Sequence, residues 1–220
     1  MPEQAGLSGP SFGPASGGPA KQLVILLHGL GADGNDLIGL APVLSRVLPN
    51  AEFLAPHAPE ACDTSPTGYQ WFSLQDRTPT RIEAGVRTAA GLLEDYIDTQ
   101  LEARAIDDNK LALIGFSQGC MMALHVGLRR HVAPAAILGY SGMLAAPDKL
   151  EAEITCRPPV LLVHGEADPI MPHQMLVSAQ SGLERVGVEV QTISRPELGH
   201  GIDEEGIRHG AALLQRTLTA

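Results

Sequence analysis

Apolar residues fall along this chain in two rhythms. Short apolar-rich runs at Leu23–Leu27, Glu52–Ala55, Leu111–Gly115, Ala135–Leu138, Val160–His164 and Val188–Ile193 predict strands. The segments between them are long enough for crossover helices, which predicts parallel strands with helices on both faces. The clearest helix begins at Thr80, where Ile82, Val86, Ala90, Leu93, Ile97 and Leu101 recur every three or four residues. Thr80 and Glu83 have the spacing of a capping box. A second helix opens near Ser117 and runs through Met121, Leu124 and Leu128. A third opens at Asp203, where Glu204 and Glu205 complement the helix dipole and Ile207, Ala211 and Leu214 form an inner face. The predicted fold class is α/β: one domain over residues 21–220, with a doubly wound, mostly parallel central sheet and helices on both faces.

Two stretches break the rhythm. Twelve of the first twenty residues are Gly, Pro or Ser, with neither a basic nor an apolar segment. That excludes a secretory signal and predicts a disordered tail over residues 1–20. The segment Cys62–Pro79 is rich in turn residues yet carries Tyr69, Trp71 and Phe72, which suits either a packed surface loop or a flap over a pocket.

Composition narrows the function classes. With 44% hydrophobic and 18% charged residues the 220-residue chain reads as an ordinary globular protein, and no apolar stretch reaches the ~18 residues of a membrane span. A net charge of −10 with three lysines argues against nucleic acid as a partner. Cys62, Cys120 and Cys156 are scattered and form no C-x-x-C pair, which favours reduced thiols and a cytoplasmic location over disulfides or zinc. No His/Cys cluster has metal-ligand spacing, so no metal is expected.

Ligands of doubly wound sheets bind at the carboxyl ends of the strands, so the residues after each run carry the chemistry. After Leu111–Gly115 comes Gly115-Phe116-Ser117-Gln118-Gly119, a G-x-S-x-G between a strand and a helix. A serine on such a turn is exposed, and the helix behind it offers amides to developing negative charge. Serine needs a base, and the base an orienting carboxylate. Asp168 follows the Val160–His164 strand, and His200 lies between Gly199 and Gly201 before the last helix, in the order such an elbow requires. Glu166 is the rival carboxylate; Asp203 reads as a helix cap. His173 starts a helix and His209 lies inside one; His28, His57, His125, His131 and His164 read as packing or surface residues. Gly139-Tyr140-Ser141-Gly142-Met143 also follows a strand, but no helix succeeds it, and Ser141 reads as structural.

Gly29, Gly31 and Gly34 spell the G-x-G-x-x-G of a dinucleotide loop. Against that reading, Asp36 looks like the cap of the next helix, so all three glycines would precede it. The next strand also lacks the terminal acidic residue a ribose requires. His28-Gly29 better suits a loop that lays a backbone N–H against the nucleophile, making the amides of Leu30 and Gln118 an oxyanion hole. Trp71, Phe72, Phe116, Met143, Leu144 and Ile170, with Leu30, are the candidate pocket walls, with ordinary core as the competing reading for each.

Leu27-His28-Gly29-Leu30-Gly31, Pro56-His57-Ala58-Pro59, Trp71-Phe72, the Ser117 elbow, His164-Gly165 with Asp168-Pro169, and Gly199-His200-Gly201 together resemble the phospholipase/carboxylesterase family of α/β-hydrolases. The resemblance spans roughly residues 21–217 and is nearer to the bacterial carboxylesterases than to the acyl-protein thioesterases. It implies a Ser117, Asp168, His200 triad acting on carboxylic esters through an acyl-enzyme, without a cofactor. Short- to medium-chain esters are the expected substrates; acyl-protein thioester or lysophospholipid hydrolysis is the alternative. A dinucleotide-binding protein and a non-catalytic binding protein are the remaining readings. The expected partner is a small-molecule ester, without stable membrane insertion; a homodimer is compatible with the sequence. Ala32-Asp33 and Gly119-Cys120 depart from the family's usual Gly-Leu-Gly-Asp and Gly-Gly.

Overall fold

A computed structural model describes residues 6–219. The strands are β1 (Ser11–Phe12), β2 (Gln22–Leu27), β3 (Ala51–Leu54), β4 (Glu60–Ala61), β5 (Tyr69–Gln70), β6 (Leu111–Phe116), β7 (Ala136–Tyr140), β8 (Val160–Gly165) and β9 (Val190–Arg195). The α-helices are α1 (Gly34–Leu37), α2 (Ala41–Leu44), α3 (Pro79–Arg104), α4 (Gln118–Gly127), α5 (Leu150–Glu153), α6 (Gln174–Arg185) and α7 (Glu204–Leu218). Seven strands form the main sheet in the order β1-β3-β2-β6-β7-β8-β9, and all its pairings except β1 with β3 are parallel.

The alternation along the strands explains the two faces. Leu23, Ile25, Leu27, Leu111, Leu113, Ile137 and Leu162 point to one side, against α3, α4 and α6. Val24, Leu26, Ala112, Ile114, Leu138, Leu161 and Val163 point to the other, against α1, α2 and α7. Both sets are buried, so the inner strands β2, β6, β7 and β8 read as near-continuous apolar runs, as expected of parallel strands covered twice. Among the described residues no helix is long and apolar enough to cross a membrane.

The chain leaves β2 toward β3 on one side and returns through α3 to β6 on the other. The order therefore reverses between β2 and β6, and the loops after those two strands open a crevice at their carboxyl ends.

Local expectations are corrected at four places. Residues 6–20 are not a disordered tail: Ser11↔Leu54 and Phe12↔Phe53 pair antiparallel, and the Phe12 and Phe53 rings meet edge-on at 6.3 Å. Apolar contact from one phenylalanine and backbone pairing to β3 hold a stretch whose composition argued otherwise; residues 1–5 lie outside the described residues. Thr80 and Glu83 make no capping box, because Pro79 occupies the first helical position and its ring presets φ there. Asp33, not Asp36, caps α1 by accepting from the Asn35 N–H, so Gly34 is the first residue of that helix and not a residue before it. The 62–79 loop forms a small antiparallel pair with the residues before it, Glu60↔Gln70 and Ala61↔Tyr69. Asp203 does cap α7, accepting the Gly206 N–H at 2.8 Å.

Candidate active site

The turn from β6 into α4 is as sharp as its sequence requires. Ser117 has φ 53 and ψ −115, a left-handed backbone that costs a non-glycine residue on the order of 1–3 kcal/mol. Its neighbours are glycine for steric reasons: a Cβ on Gly115 would stand 2.2 Å from the Gly119 carbonyl oxygen, and one on Gly119 would stand 1.9 Å from that of Leu27. The Ser117 N–H donates to the Tyr140 carbonyl at 2.9 Å, which ties the turn to β7.

Three strand-end loops meet here. His200 Nε2 lies 3.0 Å from Ser117 Oγ, and His200 Nδ1 lies 2.8 Å from Asp168 Oδ2. A carboxylate can only accept, so Nδ1 carries the proton and Nε2 is left to accept from the serine hydroxyl. Asp168 Oδ1 accepts the N–H groups of Ile170 at 2.9 Å and Met171 at 2.8 Å. Burial pushes the Asp168 carboxyl up, but the Met171 and Ile170 amides and His200 outweigh it and hold it below its ordinary range. The Phe116 ring packs on the His200 imidazole, with centroids 4.9 Å apart. Ser117 itself is 8% exposed, enough for a hydroxyl at the mouth of the crevice.

The loop after β2 lies against the elbow. A Cβ on Gly29 would come within 3.2 Å of Ser117 Cβ and 3.0 Å of the Phe116 ring, so only glycine allows this approach without displacement. Leu30 follows it, between Gly29 and Gly31, whose φ is 79. Gln118 is the first residue of α4, and its N–H has no acceptor within that helix. His28 is fully buried and braces the loop: its Nε2 accepts the Ala58 N–H at 2.9 Å, which leaves Nδ1 to donate to the Gly29 carbonyl at 2.8 Å. Burial lowers its pKa, which keeps it neutral and in that one tautomer. His57 Nδ1 accepts the Gly34 N–H at 3.1 Å.

The aromatic loop is packed, not open. Trp71 is 1% exposed, and its indole N–H donates to the His28 carbonyl at 3.0 Å. The Gln118 side chain grips the same loop with both ends: Oε1 accepts the Trp71 N–H at 2.8 Å and Nε2 donates to the Phe72 carbonyl at 2.7 Å. Sequence reasoning missed this clamp, because the middle letters of G-x-S-x-G carry no signal of a partner some 47 residues away.

The candidate pocket residues scatter. Trp71 and Phe72 line a cavity of about 660 Å³ with Gln75, Arg81 and Gly85, and neither Ser117 nor His200 borders it. Phe116 sits at the imidazole. Leu144 is core, seated where α6 offers only Gly182; a Cβ there would meet Leu144 Cδ2 at 2.8 Å. Met143 is half-buried beside Cys120 at a void of about 10 Å³. Ile170 is 57% exposed and contributes its N–H to Asp168. Cys120 is a packing residue: Gly139 and Gly142 make room for its sulfur, and burial pushes its thiol up to about 12.

The chain is similar over most of its length to known proteins. The phospholipase/carboxylesterase family model matches residues 14–218. Esterase YpfH of Escherichia coli is 26% identical over 200 residues, covering 91% of this chain and 84% of that protein. Acyl-protein thioesterase 1 of Schizosaccharomyces pombe is 31% identical over 193 residues, covering 83% and 84%. The crystal structure of esterase PE8 superposes with a TM-score of 0.93 at 38% identity, over 97% of this chain and all of that one.

Proposed function

The chain belongs to the phospholipase/carboxylesterase family of α/β-hydrolases, and on that premise we propose that it is a serine carboxylesterase working through Ser117, His200 and Asp168. His200 Nε2 takes the hydroxyl proton as Ser117 Oγ attacks the ester carbonyl. Asp168 holds the imidazole's tautomer and stabilises the imidazolium. The amides of Leu30 and Gln118 receive the oxyanion. The imidazolium returns its proton to the departing alcohol, water attacks the acyl-enzyme through the same base, and Ser117 is regenerated. These steps use only protein groups and water.

The observation that carries this reading is the hydrogen-bonded relay of 2.8 Å and 3.0 Å from carboxylate to imidazole to hydroxyl, with the hydroxyl on a left-handed turn. The close approach of Gly29 to Ser117, tight enough that a Cβ would have to push its neighbours aside, supports the oxyanion assignment. Trp71, locked against His28 and Gln118, keeps the aromatic loop packed against the elbow, which supports short- to medium-chain acyl groups over palmitoyl-length ones. The net charge of −10 supports small esters without nucleic acid, and three buried free thiols support a cytoplasmic site of action.

Steady-state hydrolysis of p-nitrophenyl esters from C2 to C16, beside matched thioesters, tests the substrate range. The expected kcat/KM peaks between C4 and C8; a steep rise to C16 with preference for thioesters would move the protein to the acyl-protein thioesterases.

A further inference from the structure

His164 is the penultimate residue of β8, and its side chain is 1% exposed, beside an Asp168 side chain that is fully buried. A buried imidazole is costly unless it is hydrogen-bonded, and this one is. Its Nε2 lies 2.7 Å from the Met171 carbonyl oxygen. A carbonyl only accepts, so that nitrogen carries the hydrogen. The same Nε2 is 3.5 Å from Asp168 Oδ2, the oxygen that takes His200.

Met171 is thus held from two sides. Its N–H grips Asp168 Oδ1, together with the N–H of Ile170, while its carbonyl is held by His164. Two amides on Oδ1 leave Oδ2 turned toward His200. We propose that His164 is a positioning residue of this relay: by anchoring the Met171 carbonyl with its Nε2–H, it fixes which oxygen of Asp168 meets the catalytic imidazole. The proposal rests on the triad reading. Without the donor, the Met171 carbonyl loses its side-chain partner, the peptide is free to turn toward another, and the amide pair on Oδ1 turns with it. Burial lowers the His164 pKa, so the residue stays a neutral donor beside the carboxylate. The other ionisable groups facing it are His200 and His173; the His173 ring stands edge-on at 6.1 Å and its Nε2 is engaged with Ser194 Oγ at 2.7 Å.

Three variants of the full chain test this. His164→Gln places an amide nitrogen near the position of Nε2, His164→Asn places one near Nδ1, and His164→Phe keeps a ring with no donor. Each is checked for folding by circular dichroism, then measured for kcat and KM on p-nitrophenyl butyrate and for the low-field proton resonance of the His200 Nδ1–H. The expected result for Asn and Phe is kcat reduced about 10- to 100-fold, KM within about twofold, and a shifted or broadened resonance. Gln should recover kcat to within about threefold, with the resonance restored. Wild-type kcat and an unmoved resonance in a folded Phe or Asn variant would overturn the proposal, as would Gln and Asn impaired equally. If Phe fails to fold, the Gln–Asn difference decides alone. Failure of the triad reading shows separately, as ester hydrolysis surviving in Ser117→Ala.

Discussion

Two serines end adjacent parallel strands of this sheet, and only one is in a position to react. Ser117 follows β6 and Ser141 follows β7. Both have left-handed backbones, with φ of 53 and 47, and each N–H donates at 2.9 Å to a carbonyl of the next strand, Tyr140 and Val163. The likeness stops there. After Ser117 a helix starts at the next residue, whereas after Ser141 none starts until Leu150. Ser117 Oγ meets the free nitrogen of His200, while Ser141 Oγ is fully buried and donates to the Gly201 carbonyl at 3.2 Å. Strand end and strained backbone are therefore common property of this edge. What sets Ser117 apart from Ser141 is the helix N-terminus behind its hydroxyl and the imidazole in front of it. Ser141 nonetheless serves the same histidine loop, by pinning the residue next to His200.

Substitutions sharpen the contrast in descending order. Ser117→Ala or His200→Ala should lower kcat by about 10⁶-fold, the scale of losing a triad nucleophile or base. Asp168→Asn keeps the shape but lets the imidazole take the wrong tautomer, and should cost about 10⁴-fold in kcat. Gln118→Ala should cost about 10- to 100-fold and red-shift the emission of Trp71, the chain's single tryptophan, because the clamp on the aromatic loop is gone. Ser141→Ala should cost tenfold at most, with KM little changed, since it loosens the histidine loop without touching the reacting atoms. If Ser141→Ala proved as damaging as Ser117→Ala, the contrast drawn here would collapse.

The smallest effect is on stability against pH. The Asp168 carboxyl lies below its ordinary 3.8 in the folded protein, so the unfolded chain binds its proton more readily. Its contribution to stability is whole above that ordinary value and drains away as pH falls through the lower, folded one. Thermal melts should therefore show wild type above Asp168→Asn at pH 7, with the gap closing below about pH 4. A gap unchanged by pH would mean that the ionised carboxylate does not stabilise the fold.

The sequence made the sheet and the meeting of Ser117, His200 and Asp168 legible because both depend on order. Short apolar runs bounded by polar segments stand out, and an acid and a histidine after later strands fit an elbow in only one sequence of loops. The rest depends on contacts across the chain. His28 and His164 looked like packing histidines, and they are buried, yet each uses one nitrogen to hold a backbone carbonyl that shapes the crevice. Nothing in the neighbouring residues distinguishes that from an apolar role. Thr80 failed as a cap because Pro79 beside it solves the same problem with a covalent ring. Residues 6–20 failed as a tail because one phenylalanine finds another across a strand pair. Leu144 lies buried because Gly182, on a distant helix, leaves it a seat in the core.

Covalent labelling decides between the two serines most directly. The protein is treated with a fluorophosphonate, digested, and its peptides are mapped by mass spectrometry. The account predicts one phosphonyl adduct, on the peptide carrying Ser117, formed at a rate that falls with ester-hydrolysing activity in His200→Ala. An adduct on Ser141, or none on Ser117 in protein that still hydrolyses esters, would contradict it.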